Sequence, residues 1–132
     1  MMNSKVTFIS KYEKSDVSIK EDFDASYFET IDGLVFDYSK GNKNVGKLLY
    51  TIANGAIEVR NYRDGSQKYF KFLENEYSAG TFIDEQMRIV NFKIFTSKIL
   101  KDNKSIDICY DIISFNGIPG SVSCELKLEG FQ

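Results

Sequence analysis

Residues 48–72 read LLYTIANGAIEVRNYRDGSQKYFKF, and this stretch decides the fold. It contains two tight-turn dipeptides, Asn54-Gly55 and Asp64-Gly65, each between runs of alternating side chains. Asn-Gly and Asp-Gly accept the two positive-φ positions of a type I′ turn, so both predict antiparallel hairpins. A two-residue turn at Asn54-Gly55 sets Ile52 opposite Ile57 and Tyr50 opposite Val59. Opposed residues share a face. Leu48, Tyr50, Ile52, Ile57 and Val59 therefore form one face, and Lys47, Leu49, Thr51, Glu58, Arg60 and Tyr62 the other. The same rule at Asp64-Gly65 sets Val59 opposite Phe70 and Ile57 opposite Phe72 on the apolar face. Arg60 then meets Tyr69, and Glu58 meets Lys71, on the polar face. The two hairpins agree in parity. A one-residue slip in either would reverse every side chain, so the agreement supports both.

A third dipeptide, Asp32-Gly33, predicts the pairs Ile31–Leu34, Glu29–Phe36 and Tyr27–Tyr38, with Leu34, Phe36 and Tyr38 facing in. Carried along the preceding strand, that parity turns Val17, Ile19, Glu21, Phe23, Ala25, Tyr27, Glu29 and Ile31 inward. Near the C-terminus Ile106, Ile108, Tyr110 and Ile112 alternate with polar residues, as do Val122, Cys124, Leu126 and Leu128. Residues 67–77 and 84–101 read as strands, because Val90, Phe92 and Ile94 alternate and are β-formers. A short helix in either segment is the alternative. Looser loops are expected at Glu13–Asp16, Ser39–Val45 and Asn116–Gly120. Nine to eleven strands with one apolar face must cover that face. Closing the sheet does so and removes its edges. The expectation is an all-β chain of one domain, residues 1–132, folded as an antiparallel up-and-down barrel.

Composition narrows the function classes. The 132 residues are enough for a substantial core and include no histidine or tryptophan. With a formal charge of −2, the chain is not a bulk electrostatic binder of nucleic acid. Its apolar runs are too short to span a bilayer as a helix. The segment Met1–Asp16 lacks an apolar signal core, so a cytoplasmic protein is expected. Cys109 and Cys124 fall on opposite faces of their strands and are expected to be unpaired thiols. Two cysteines without histidine make a poor zinc site, so no metal or cofactor is expected. Nor does any histidine serve as general base, and nucleophile-elbow and phosphate-loop motifs are missing. The reading is a non-enzyme.

Two sets of residues carry the functional expectation. The first faces in: Glu21, Tyr27, Tyr38, Tyr50 and Tyr110, joined by Arg88 if it keeps step with Val90, Phe92 and Ile94. Mostly apolar walls with a few polar groups suit a small apolar or amphipathic ligand held inside a barrel. An inward arginine suits a carboxylate head group. A bulge that turns Glu21 or Arg88 outward is the structural alternative. The second set is the outer face of the middle hairpins, Arg60, Tyr62, Tyr69 and Lys71, with Arg63 and Lys68 nearby. Cations interleaved with aromatics suit a protein partner or single-stranded RNA, if the barrel is filled by its own rings. Glu58 and the acidic total weigh against RNA. The carboxylates at 21–24, 84–85, 102 and 107 read as solvated surface charge.

The chain also resembles the YwiB-like bacterial family, whose barrels resemble lipocalins and other calycins. The resemblance rests on Gly33-Leu34-Val35-Phe36-Asp37-Tyr38, Arg63-Asp64-Gly65, Tyr77-Ser78-Ala79-Gly80-Thr81 and the strand led by Tyr110 with its following hairpin. Thr81-Phe82-Ile83-Asp84 stands where the family tends to carry a Pro-Gly-containing turn. The resemblance implies a calycin-like barrel and supplies no catalytic residues.

Overall fold

A computed structural model describes residues 2–12 and 18–130. It contains ten strands: β1 (Met2–Tyr12), β2 (Ser18–Glu29), β3 (Gly33–Ser39), β4 (Asn44–Thr51), β5 (Ile57–Arg63), β6 (Ser66–Phe72), β7 (Glu76–Ile83), β8 (Ile89–Lys101), β9 (Ser105–Phe115) and β10 (Ile118–Glu129). Each pairs antiparallel with its neighbour in sequence, and β1 pairs with β10, closing the barrel. Residues 67–77 and 84–101 contain no helix. The expected Glu13–Asp16 loop and inward Val17 lie outside the described residues.

The hairpin at Asp64-Gly65 has the expected register, with Arg60 opposite Tyr69 and Val59 opposite Phe70. Asp64 and Gly65 take φ of 42° and 91°, the positive values a type I′ turn requires. The other two turns differ. At Asn54-Gly55 the loop runs over residues 52–55, and Tyr50 faces Ile57 rather than Val59. The Asn54 side-chain oxygen accepts the Ala56 N–H at 3.0 Å, while the Thr51 carbonyl accepts the Gly55 N–H at 2.8 Å. The side chain stands in for a backbone turn and widens the loop. At the first hairpin Ile31-Asp32 is the turn, and Thr30 pairs with Gly33. The Thr30 hydroxyl accepts the Asp32 N–H at 3.2 Å. Gly33 instead serves close packing, because a Cβ there would lie 1.8 Å from the Tyr50 carbonyl oxygen.

Moving a turn by one residue moves each pairing by two, so parity survives both corrections and the inward set largely holds. The exceptions lie at turns and strand ends, Ile19 near the start of β2 being exposed. Ile31 is 96% exposed and Ile52 60%, because each sits in a loop rather than a strand. Glu29, at the end of β2, is also exposed. Asn116-Gly117, expected within a looser loop, is a tight turn with Phe115 opposite Ile118 and φ of 50° and 79°. A bulge between Pro119 and Val122 follows it. The core gathers Val6, Leu34, Phe36, Leu48, Ile57, Phe72, Ile94, Ile106, Ile108 and Leu128, all buried. Ring contacts Phe8–Phe23–Tyr38 and Phe70–Phe72–Tyr110 fill much of the interior.

Candidate functional site

The polar residues of the inner face collect at one end of the barrel. This end carries the connections after β3, β5, β7 and β9. From the register of Val59 and Phe70, Asn61, Arg63 and Lys68 share their inward parity. Contacts across the barrel agree. The Arg63 guanidinium on β5 donates to the Glu21 carboxylate on β2, across the two intervening strands β4 and β3. The Tyr38 hydroxyl donates to the Asn61 side-chain oxygen and lies 3.4 Å from the Arg60 carbonyl. Its ring occupies space that Gly46 leaves open, since a Cβ at Gly46 would fall 2.2 Å from it.

Lys68 reaches into this mouth. It is accessible along its length, yet its ammonium lies 5.7 Å from the centroid of the inward Phe70 ring. Desolvation holds its pKa below lysine's ordinary range, and the Arg63 guanidinium adds to the effect. Glu21 and Cys124 act the other way, which places Lys68 among groups from β2, β5 and β10. Burial, then the Glu21 carboxylate, pushes the Tyr38 hydroxyl above its ordinary value. The Asn44 side-chain oxygen is buried at this end with no hydrogen-bond partner among the described residues. The mouth therefore presents two cations and one carboxylate above a floor formed by the Phe8, Phe23 and Phe70 rings.

The structure divides the expected inward set. Glu21 and Tyr38 belong to the mouth. Tyr110 lies deeper, against Phe72 at 4.8 Å, and burial raises its pKa. Tyr27 and Tyr50 belong to the opposite end, Tyr27 beside Phe36 and Tyr50 beneath the Lys101 ammonium. Arg88 is not inward. It precedes β8, is exposed, and its guanidinium Nε donates to Asp84 at 2.6 Å. Asp84 also accepts the Gln86 and Arg88 N–H groups at 2.9 Å, folding residues 84–88 into a turn that takes Arg88 out of strand register. The cations of the mouth are Arg63 and Lys68, which the sequence reading had set beside the outer face. Their inward parity with Val59 and Phe70 was the signal that could have found them.

The outer face of β2–β5 is concave and holds a groove of about 1040 Å³ lined in part by Asp24, Asp37, Lys47, Leu49, Arg60 and Tyr62. The expected interaction residues lie here or on its flank. The Arg60 guanidinium lies 4.9 Å from the centroid of the Tyr69 ring, and the Tyr69 hydroxyl donates to Glu58. Lys71 stands opposite Glu58, Lys47 lies 3.7 Å from Asp37, and Tyr62 is exposed. Carboxylates thus match the cations of this face. Cys109 and Cys124 are unpaired thiols, on outer and inner faces respectively.

These features define a closed ten-stranded antiparallel barrel with one polar, cationic mouth. Among solved structures it is similar to the crystal structure of ywiB protein from Bacillus subtilis, with a TM-score of 0.62 and 12% identity over 98% of this chain and 91% of that one. The fold is thus a YwiB-like barrel, and at that identity the likeness concerns fold alone. No protein-family profile and no curated protein matches the chain. Among the described residues no helix is long and apolar enough to cross a membrane.

Proposed function

We propose that the protein is a calycin-like binding barrel, acting without catalysis in the cytoplasm, whose site is the mouth and whose ligand is a small amphipathic anion. The observation that carries this reading is the pair of inward cations, Arg63 and Lys68, set against the single carboxylate of Glu21. The Arg63 guanidinium already pairs with Glu21, so Lys68 beside it leaves the mouth with a positive charge that an anion would balance. A carboxylate, sulfonate or phosphate head supplies that charge, and Arg63 can grip it with two donors. The apolar part of the ligand covers the Phe8, Phe23 and Tyr12 rings, because the rings below leave the deep interior to the protein itself.

The test is fluorescence titration with anilinonaphthalene sulfonate, an apolar anion. Binding is expected in the wild type, weakened about tenfold or more in Lys68→Met and in Arg63→Gln, and unchanged in Arg88→Ala. Equal affinity in Lys68→Met, or no binding by the folded wild type, overturns the reading.

The groove on the outer face favours a second reading, a docking surface for an extended peptide. Asp24 and Asp37 on β2 and β3, and Lys47 and Arg60 on β4 and β5, with Leu49 and Tyr62 further along those last two strands, complement a segment of alternating charge. On a peptide array, retention of such segments that is lost in Arg60→Ser supports it. Retention of charge-free segments equally well excludes it.

A further inference from the structure

Three donor groups meet on the outer face of β9 and β10, apart from both the mouth and the groove. Asp107 and Cys109 are two residues apart on β9 and so point the same way. Glu125 on β10 stands directly opposite Cys109. One ligating atom from each lies within 4.8 Å of the other two, and all three residues are half-buried. Cys109 Sγ lies 3.9 Å from Glu125 Oε2. Asp107 Oδ1 is fully buried and has no hydrogen-bond donor among the described residues. A carboxylate oxygen stripped of water and left without a donor is costly, and a cation is the group that would satisfy it. None of the nearby lysines donates to Asp107 Oδ1, although Lys11 pairs with Glu125 and Lys98 and Lys127 add positive charge around the cluster. Lys127, opposite Asp107, contacts Glu129 at 3.2 Å, Lys11 lies 3.9 Å from Glu125, and Lys98 stands opposite Cys109 on β8.

We propose that Asp107, Cys109 and Glu125 form a three-donor site for a borderline-soft divalent cation of the zinc class, with water in the remaining position. Sulfur decides the class. Calcium and magnesium take oxygen ligands, whereas a thiolate with two carboxylates suits zinc and its cadmium and cobalt surrogates. A tetrahedral ion about 2.3 Å from sulfur and about 2.0 Å from oxygen holds its donors roughly 3.3–3.5 Å apart. The Cys109–Glu125 separation of 3.9 Å is close to this, and a separation at the 4.8 Å limit would shorten by about 1.3–1.5 Å, within the reach of side-chain rotation. As the Sγ–metal bond forms, the Cys109 thiol releases its proton to water. The two carboxylates bind as they stand. Site charge goes from −2 to −1, so the ion removes repulsion as well as satisfying Oδ1. The sequence reading set metal aside because it weighed the two cysteines against the lack of histidine. Cys124 faces inward, and the partners of Cys109 are carboxylates on paired strands.

Cadmium titration of the reduced full chain, followed by thiolate-to-cadmium charge-transfer absorbance and by native mass spectrometry, tests the site. One equivalent is expected, with the band lost in Cys109→Ser and kept in Cys124→Ser. Asp107→Asn and Glu125→Gln, which alter half-buried outer groups and keep their shape, should each weaken binding by about tenfold or more. No band in the wild type overturns the proposal, as does a band that survives Cys109→Ser. Carboxylate variants that bind as tightly as wild type overturn it too, since cysteine alone would then be the ligand.

Discussion

At the end of the barrel closed by the Ile31-Asp32 turn, the inner face is Leu34, Ile57, Phe72, Ile106 and Leu128, packed and almost without exposure. At the other end the same alternation brings Glu21, Asn44, Asn61, Arg63 and Lys68 inward. The strands are continuous between the two ends, so backbone pairing cannot account for the difference. The apolar end accounts for stability: each buried ring or branched chain removes apolar surface from water. The polar end does not, because charges drawn toward the interior gain from each other little more than they lose in hydration. On the proposed reading, an anionic ligand is what those charges serve.

Mutation at the two ends gives the sharpest way to break this contrast. Phe72→Ala removes a fully buried ring in contact with Phe70 and Tyr110 and should cost about 3–5 kcal/mol in chemical denaturation. Lys68→Met removes the ammonium that sits over the Phe70 ring and keeps an unbranched apolar chain. It should cost no more than about 0.5 kcal/mol and can raise the midpoint. Similar losses from the two substitutions would show that the mouth is structural, and the case for a ligand there would fall with it.

Much of this was legible in the sequence because β-structure has a period of two. Parity read at Asp64-Gly65 was right residue by residue. At Asn54-Gly55 and Asp32-Gly33 the turn was misplaced, but the error shifted partners by two and left each face intact. Side-chain chemistry decided those turns: the Asn54 amide and the Thr30 hydroxyl both capture backbone N–H groups, and dipeptide propensity does not reveal that competition. Arg88 could not be placed by alternation, since Asp84 gathers two N–H groups and the guanidinium into a turn ahead of β8. Arg63 and Lys68 were legible from the same parity that placed Val59 and Phe70. Their charge made the outer face seem natural. The groove was not legible, because its lining residues come from four strands, β2 to β5. The Asp107–Cys109–Glu125 cluster required the β9–β10 register, which a bulge after Pro119 conceals.

A smaller effect separates the depth of the barrel from its rim. Burial raises the Tyr110 pKa well above the ordinary tyrosine value of 10.0, so the folded chain holds that proton where the unfolded chain releases it. Below pH 10 both states are protonated and the contribution to stability is fully present. As pH rises above 10, only the unfolded state ionises, and stability is lost. Lys68 has the opposite sign. Its pKa is lowered in the fold, so stability rises with pH between the folded and unfolded lysine values. Denaturation followed from pH 9 to 11.5 should therefore show a shallower alkaline decline in Tyr110→Phe and a steeper one in Lys68→Met. The two variants separate the contributions because desolvation shifts the Tyr110 phenol up and the Lys68 ammonium down, giving slopes of opposite sign. If Tyr110→Phe follows the wild-type curve, water reaches Tyr110 and the interior beneath the mouth is open, giving the ligand a deeper seat than Arg63 and Lys68 alone define.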